Sequence, residues 1–188
     1  MEHTWNDWLR RAATLIRREP RGYSLPEALA GWFSVVEVDD VERHAGELFR
    51  RCFHQPPPNY PRHYVARADS AGETRTIGYI HYTPLEQVYL CGGMCIDDRA
   101  YRRLPSEHRA ALKAAGGIAE LMLRHTFAAL SSAQAIFGYV GDTRSERVNL
   151  RAGFRHTGRP HLIVHWPRPL PEAQQRALIA KIAAIGPF

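Results

Sequence analysis

The sequence predicts a single domain of the α+β class, in which a central, mostly antiparallel sheet of about six to seven strands is flanked by helices. Three observations support this fold class. The length of 188 residues suits one hydrophobic core. Apolar residues make up 45% and charged residues 23%, proportions that are typical of folded domains. Short β-branched and aromatic runs alternate with segments whose apolar residues recur at helical spacing.

The N-terminal half of the sequence predicts two helices and four strands. In residues 4–18 the apolar positions repeat at helical spacing, which predicts an N-terminal helix. Trp32 to Val38 is β-branched and aromatic, and Asp39-Asp40 then begins a second helix that runs to Cys52. A proline-rich, extended connection follows at 55–61. Three strand-like runs come next and predict an antiparallel meander, at residues 63–68, 76–83 and 87–96.

The C-terminal half predicts a core helix, a buried strand, another helix, a hairpin and a last helix. Residues 97–113 are polar and rich in arginine, with a helix start near Pro105. Gly117 to Leu130 is apolar on more than one side, which predicts a helix in the core. The later elements are a strand at 135–140, a helix at 143–152, strands at 154–157 and 161–166, and a helix at 171–185. The last helix either packs on the domain or forms a contact in a homodimer.

The composition argues against several classes of protein. The three cysteines form no Cys-x-x-Cys pair, which argues against a disulfide framework or a structural zinc site, so we expect no metal. Charge or glycine interrupts the apolar stretches well before the about 20 residues that cross a bilayer. We therefore expect a cytoplasmic protein without a membrane span. The net charge of +6 suits a solvated basic surface, the phosphates of a cofactor, a nucleic acid or an acidic partner.

A pair of glycines before the core helix forms a candidate anion site, within the run Ala114-Ala115-Gly116-Gly117-Ile118-Ala119. Glycine allows a ligand to approach the backbone closely, and the N–H groups at the start of a helix favour a diphosphate. We expect the amides of Gly116 and Gly117 to be unpaired and turned toward such a group. The alternative is an ordinary turn.

A second motif closes a helix on Gly153-Phe154 after a buried strand. By itself this motif is an ordinary helix end, in which glycine forms the C-cap and phenylalanine packs into the core. The order of elements is more specific than either motif alone: a meander, a helix after a glycine turn, a strand, and a helix that closes on Gly-Phe.

This order resembles the GCN5-related N-acetyltransferase (GNAT) family over about residues 32–166. The resemblance implies acetyl-coenzyme A as cosubstrate and a signature, Gln/Arg-x-x-Gly-x-Gly/Ala, that cradles the coenzyme A diphosphate. Gly117 and Ala119 match the signature, whereas Ala114 stands where the family has Gln or Arg. Lys113 and Arg109 lie nearby in sequence and offer a replacement cation.

The resemblance also implies where the rest of coenzyme A lies. The strand end at Met94, Cys95 and Ile96 should splay from the strand that begins near Ala135, with the pantetheine arm bonded to main-chain groups in the gap. The implied cofactor-binding residues are Met94, Cys95, Ile96, Ala114, Ala115, Gly116, Gly117, Ile118, Ala119, Asp142, Ser145 and Asn149. Cys95 is alternatively a nucleophile, although free cysteine is commonly a small core residue.

The implied reaction is acetyl transfer to a primary amine, of a small molecule or a protein, by direct attack. In the family a tyrosine of the second helix often protonates the departing thiolate, and Asn149 stands in that place here. Asn149 cannot act as a conventional acid, but its amide can hydrogen-bond the thiolate. A base is needed as well, and a water relay is one alternative. Candidate bases are Glu86, His81 and Tyr82 on or beside the central strands, and His161 and His165 on the late hairpin.

Other interpretations stay open. Asn149 in the tyrosine position also suits a catalytically degenerate module that binds acyl-coenzyme A. The charge suits a nucleic-acid-directed transferase, although the sequence has no recognised nucleic-acid-reading motif. Residues 97–112 either fold over the cofactor mouth, where Arg99, Arg102 and Arg103 would meet an acidic group, or form a solvated excursion.

Overall fold

Seven strands form one sheet at the centre of the part of the chain that the structure describes. The structure is a computed structural model that describes residues 23–59, 62–70 and 72–188. The helix predicted at 4–18 therefore lies outside the described residues. In chain order the strands are β1 (Phe33–Val38), β2 (Arg62–Ser70), β3 (Glu73–Leu85), β4 (Val88–Ile96), β5 (Ala135–Tyr139), β6 (Arg155–His156) and β7 (Leu162–His165). Their order across the sheet is β1-β2-β3-β4-β5-β7-β6.

The described residues also form a short 3-10 turn at Glu27–Leu29 and six α-helices. The helices are α1 (Val41–Phe53), α2 (Asp98–Arg103), α3 (Ser106–Ala114), α4 (Ile118–Ala129), α5 (Thr143–Ala152) and α6 (Glu172–Ala183). An aspartate begins α1, as predicted, because the Asp40 carboxylate accepts the amide of Arg43 at 3.0 Å. Among the described residues, none of the helices combines the length and the apolar character needed to cross a membrane.

All strand pairs are antiparallel except β4 with β5. The predicted meander is confirmed as β2-β3-β4. A parallel pair needs a long crossover, and α2, α3 and α4 provide it between β4 and β5. The predicted α+β class, with a mostly antiparallel sheet flanked by helices, is confirmed.

Apolar side chains cover both faces of the sheet. α4 lies on one face, where Met122 is fully buried in the largest core cluster. On the other face α1 covers the β2–β3 region, with Phe49 against Tyr79. α6 covers the β4–β5–β7 region on that same face, with Ile182 in one cluster with Phe137. The C-terminal helix thus packs on the sheet, and a homodimer stays a prediction.

The arginine-rich segment is folded, unlike the solvated excursion that was one expectation for it. The Asp97 carboxylate caps α2 by accepting the amides of Arg99 and Ala100. Leu104 and Leu112 are buried in the cluster that α4 shares. Apolar anchors in α2 and α3 therefore hold residues 97–113 against the sheet, and Arg99, Arg102 and Arg103 are exposed.

Candidate functional site

The pairing of β4 with β5 ends halfway along β4, and the region between the two strands beyond that point is called the gap. The two parallel strands pair from Val88 with Ala135 to Cys91 with Gly138. Beyond this point Gly92–Ile96 keep β3 as a neighbour but pair with no described strand on the other side. The main-chain groups on that edge of β4 are therefore free of sheet hydrogen bonds. The end of pairing at this point is what the predicted splay requires, and the splay itself stays a prediction.

A β-bulge lies at the vertex of this gap. One residue of β3, His81, faces two residues of β4, Gly92 and Gly93. A Cβ atom on Gly92 would overlap the His81 ring at Nε2, and one on Gly93 would lie 2.8 Å from Phe53 Cζ. The two glycines therefore leave the space that the His81 and Phe53 side chains occupy.

His81 belongs to a hydrogen-bonded chain of three side chains. Tyr79 Oη lies 2.8 Å from His63 Nδ1 and 3.2 Å from His81 Nδ1. His63 and Tyr79 are 3% and 0% exposed, and His81 is half-buried. Burial lowers the pKa of both histidines to about 4 and raises the pKa of Tyr79 well above its usual value. All three groups are therefore neutral at pH 7.

The glycine turn differs from the expectation. The Gly116 amide donates to the Lys113 carbonyl at 3.2 Å, and the Gly117 amide donates to the Leu112 carbonyl at 2.8 Å. These are the two bonds of a Schellman motif, and Gly116 has the positive φ of 95° that such a helix end requires. The prediction of unpaired Gly116 and Gly117 amides is wrong, because both glycines serve to end α3.

Free amides do occur one residue later, at the start of α4. Its first intrahelical bond runs from the Leu121 amide to the Gly117 carbonyl, and no side chain in residues 23–59, 62–70 or 72–188 caps the helix. The amides of Ile118, Ala119 and Glu120 therefore donate to no acceptor in the described part of the chain. The anion site predicted from sequence shifts to the amides of residues 118–120.

A charged cluster lies beside these amides. The Glu120 carboxylate accepts from Arg124 Nε at 3.0 Å and from Arg151 Nε at 3.1 Å. It also lies against Gly116, where a Cβ atom would be 2.8 Å from its carboxyl carbon. Arg151 Nη2 reaches the Gly116 carbonyl at 3.4 Å. Two guanidinium groups and one carboxylate give this cluster a net charge of +1.

Arg151 is thus the cation that contacts the glycine turn, which sequence reasoning did not identify. Ala114 is exposed in the last turn of α3, and Ala115 is half-buried after it. Lys113 is exposed, and Arg109 keeps its Nε buried without a hydrogen-bond partner among the described residues. Neither side chain forms a hydrogen bond to the turn among the described residues.

The α5 residues predicted to bind the cofactor form local bonds. The Asp142 carboxylate caps the helix by accepting the amides of Arg144 and Ser145, both at 2.9 Å. These bonds and the Ser145 side chain lower the pKa of Asp142. Asn149 is 6% exposed, and its Nδ2 donates to the Ser145 carbonyl at 2.9 Å. A contact of these residues with a cofactor stays a prediction.

Two of the predicted bases are remote from the gap vertex. Glu86 lies in the turn between β3 and β4 and pairs with Lys181 at 2.6 Å. Six residues of extended strand, about 20 Å, separate Glu86 from Gly92. Tyr82 points to the α4 face, where its hydroxyl lies 2.6 Å from Thr126 Oγ1. The geometry therefore disfavours both as bases.

The two histidines of the late hairpin are held by main-chain carbonyls. His161 Nδ1 lies 2.9 Å from the Val140 carbonyl, and His165 Nδ1 lies 3.1 Å from the Gly153 carbonyl. The His165 ring also stacks on Phe127 with ring centroids 3.9 Å apart. These contacts are typical of packing histidines, so His81 is the candidate base that lies at the vertex.

The Cys95 thiol is not activated. Burial holds its pKa well above the usual range, and the neighbouring Cys52 acts in the same direction. A thiol with a raised pKa is protonated at neutral pH and is a poor nucleophile. The structure therefore favours the packing role for Cys95. The described residues contain no cluster of His, Cys, Asp or Glu side chains that could hold a metal ion.

Sequence reasoning missed His63, Tyr79 and Phe53. The available signal was the doublet Gly92-Gly93 inside a strand pattern, since glycine within a strand indicates a bulge or a close approach. That signal marks β4 but does not identify the side chains that occupy the space.

No family model matches the chain, and no curated protein sequence matches it. Among solved structures, similarity is found to the ribosomal-protein-S18-alanine N-acetyltransferase from Escherichia coli, with 9% identity and a TM-score of 0.48 over 74% of this chain and 97% of that chain. AtaTR bound with AcCoA gives 12% identity and a TM-score of 0.43, over 79% of this chain and 98% of that chain. AtaT complexed with acetyl-methionyl-tRNAfMet gives 12% identity and a TM-score of 0.38, over 78% of this chain and 99% of that chain.

These TM-scores lie below 0.5, so the interpretation of this chain depends on its own strand order and side-chain geometry. The meander and the neighbouring position of β4 and β5 are features that the resemblance to the GNAT family implied.

Proposed function

We propose that this chain is an acyltransferase that moves an acetyl group from acetyl-coenzyme A to a primary amine. The observation that carries the proposal is the gap between β4 and β5, which begins after Cys91 and Gly138. An extended ligand that carries amides can bond the free edge of β4 as an added strand would. Pantetheine is such a ligand, and its thioester end would reach the vertex of the gap.

The residues around the gap fit the two parts of coenzyme A. The edge formed by Gly92–Ile96 offers main-chain donors and acceptors to the pantetheine arm. The amides at 118–120 and the guanidinium groups of Arg124 and Arg151 offer donors and positive charge to the diphosphate. Glu120 brings a carboxylate to the same place, and its two arginine partners offset its charge. Acetyl-coenzyme A, when bound, supplies the activated thioester.

The predicted residues have definite positions in this proposal. Met94, Cys95 and Ile96 are half-buried along the free edge of β4, where they would line the arm. His81 lies at the vertex, on the face that α1 and α6 cover. Asn149 would approach the leaving thiolate with the amide hydrogen that its bond to Ser145 does not use.

A second candidate function is an acyl-coenzyme A binding module without transferase activity. The observation that favours it is that Asn149, at the family's tyrosine position, is a carboxamide without an acidic proton and holds its Nδ2 on its own helix. This module would bind the cofactor through the same gap and release no thiol.

Calorimetry with acetyl-coenzyme A tests the shared part of both candidates. We expect binding to acetyl-coenzyme A and far weaker binding to acetylpantetheine, which lacks the diphosphate. Arg151→Ala should weaken acetyl-coenzyme A binding about 10- to 150-fold, since a hydrogen bond to a charged group contributes about 1.5 to 3 kcal/mol. Arg176→Ala is the matched control, because Arg176 pairs with Glu172 on α6 and is exposed.

Absence of heat at millimolar acetyl-coenzyme A would contradict the proposal and the module together. If binding occurs, thiol release with a panel of amines separates the two candidates. Release that depends on the amine supports the transferase, and binding without release from any amine supports the module.

A further inference from the structure

We propose that His63, Tyr79 and His81 form a proton-transfer chain that ends at the gap vertex, where His81 Nε2 accepts the proton of the acceptor amine. His81 is then a catalytic residue, and His63 and Tyr79 position it and share its proton. The inference rests on the proposed acyltransferase function, because the amine and the thioester meet at the vertex only if the arm lies along β4.

The position of His81 Nε2 is the first argument. This nitrogen lies against Gly92, the first residue of β4 that β5 no longer pairs. Tyr79, two residues earlier on β3, packs in the cluster under α1, so His81 faces the α1 side of the sheet as well. The anion site belongs to α4, on the opposite face. An amine can therefore approach His81 from one face while α4 holds the diphosphate.

The direction of the hydrogen bonds is the second argument. Burial lowers the pKa of His63 against a smaller, opposing effect of the Pro58 carbonyl, and His63 Nε2 has no hydrogen-bond partner among the described residues. A proton on Nε2 leaves His63 Nδ1 to accept the Tyr79 hydroxyl, whose oxygen then accepts from His81 Nδ1–H. This tautomer leaves His81 Nε2 with a free lone pair that faces Gly92.

The cost of burying the chain is the third argument. On the opposite face, the buried hydroxyl of Tyr82 is satisfied by neutral side chains, those of Thr126 at 2.6 Å and of Cys91. The hydrogen-bonded group of His63, Tyr79 and His81 instead leaves one ring nitrogen, His63 Nε2, without a partner among the described residues. It also removes two ionisable rings from water, almost fully for His63 and partly for His81. Each of these two features lowers the stability of the fold. Ionisable groups retained in this way beside a cleft are typical of functional sites.

The transfer step can be written with all atoms in place. His81 Nε2 takes one proton from the acceptor ammonium and leaves a neutral amine. The lone pair on the amine nitrogen forms the bond to the thioester carbonyl carbon, and the carbon–sulfur bond breaks with its electron pair on sulfur. A second nitrogen-bound proton goes to sulfur, which gives the amide and the free thiol. The proton on His81 is shared through Tyr79 with His63 and passes to water after the products leave.

Substitution of two tyrosines on the same strand tests the chain. Tyr79→Phe removes the central hydroxyl without changing the carbon skeleton. Tyr82→Phe is the matched control, since it removes a buried hydroxyl on the other face of β3. We expect Tyr79→Phe to lower kcat about tenfold and His81→Gln to lower it about 100-fold, within the range of general base catalysis. The affinity for acetyl-coenzyme A should stay the same in all three variants.

The measurements are calorimetry with acetyl-coenzyme A, thiol release with n-butylamine, spermidine and an unblocked tetrapeptide, and ¹⁵N NMR of the histidine rings. In the unsubstituted protein, NMR should find the proton of neutral His63 on Nε2 and that of neutral His81 on Nδ1. In Tyr79→Phe the two rings should lose this fixed arrangement, and in Tyr82→Phe they should keep it. The NMR result on the unsubstituted protein does not depend on whether a variant folds.

The outcomes separate this inference from the proposed function. Equal loss of kcat in Tyr79→Phe and Tyr82→Phe, or full activity in His81→Gln, would overturn the chain and leave the acyltransferase proposal intact. A neutral His81 with its proton on Nε2 would overturn the chain as well. Cofactor binding without thiol release from any acceptor would overturn the catalytic role and favour the binding module. Absence of cofactor binding would overturn both proposals.

Discussion

Acidification from pH 6.5 to about 4 should destabilise the fold through His63 and His81. Burial lowers the pKa of each ring from 6.5 to about 4. Because the folded-state pKa lies below the unfolded value, the unfolded chain binds more protons in this interval. The stability that the two neutral rings contribute is therefore complete above pH 6.5 and is lost as the pH falls toward 4.

The size of the effect follows from the two shifts. Each shift corresponds to at most about 3 kcal/mol, since one pKa unit is about 1.36 kcal/mol. Midway through the interval each ring binds about 0.9 more protons in the unfolded chain, so the two rings give a slope of about 2.4 kcal/mol per pH unit. A domain of this kind has a free energy of unfolding of about 5 to 15 kcal/mol, so the loss is a large fraction of it. Burial also lowers the pKa of His125 and His165, which adds to the slope with the same sign.

Urea unfolding at pH 7.5, 6.5, 5.5 and 4.5, followed by tryptophan fluorescence, measures the slope. His81→Gln should reduce it by about 1.2 kcal/mol per pH unit, half of the contribution of the two rings. His156→Gln is the control for the loss of an imidazole outside the core, because His156 is exposed on β6. A free energy of unfolding that stays flat between pH 6.5 and 4.5, or a slope that His81→Gln does not change, would refute the assignment of both rings as buried and neutral.

Two further predictions concern the gap and the start of α4. Gly92→Ala should lower kcat, because the added Cβ atom would overlap the His81 ring and displace it. The rate of thiol release measures this effect. Gly141→Ala is the control, since a Cβ atom on Gly141 would meet open space. Retention of full activity in Gly92→Ala would count against the vertex as the reaction site. Glu120→Gln should tighten acetyl-coenzyme A binding several-fold in calorimetry, because it removes the carboxylate beside the amides of α4 and frees Arg151. Weaker binding would show that Glu120 does not oppose the diphosphate.

Much of the fold was accessible from sequence because its elements follow simple periodicities. The helix predicted at 143–152 coincides with α5, and the strand predicted at 135–140 exceeds β5 by one residue. The glycine doublet at 116–117 was harder to interpret. A glycine between two helices can end the first helix or begin the second. Only the carbonyl that accepts the glycine amide distinguishes these two roles. Here the accepting carbonyls belong to Lys113 and Leu112 of α3.

The candidate site was less accessible than the fold because strand register brings it together. Tyr79 and His81 share a strand face by simple alternation. His63 joins them only because β2 pairs with β3 so that His63 is opposite His81. Arg151 reaches the glycine turn from a helix 35 residues further along the chain. Sequence spacing carries no information about contacts of these kinds.

The bulge at Gly92 and Gly93 links the gap to the core. Before the bulge, Cys91 belongs to the cluster on the α4 face, and after it Met94 and Ile96 pack against that same cluster. Strict alternation would turn residues 94 and 96 to the opposite face, so the extra residue restores the apolar face of β4. The same irregularity increases the local twist just where pairing with β5 ends. One inserted glycine thus accounts for three features: the free strand edge, the continuous core beneath it, and the space in which His81 meets that edge.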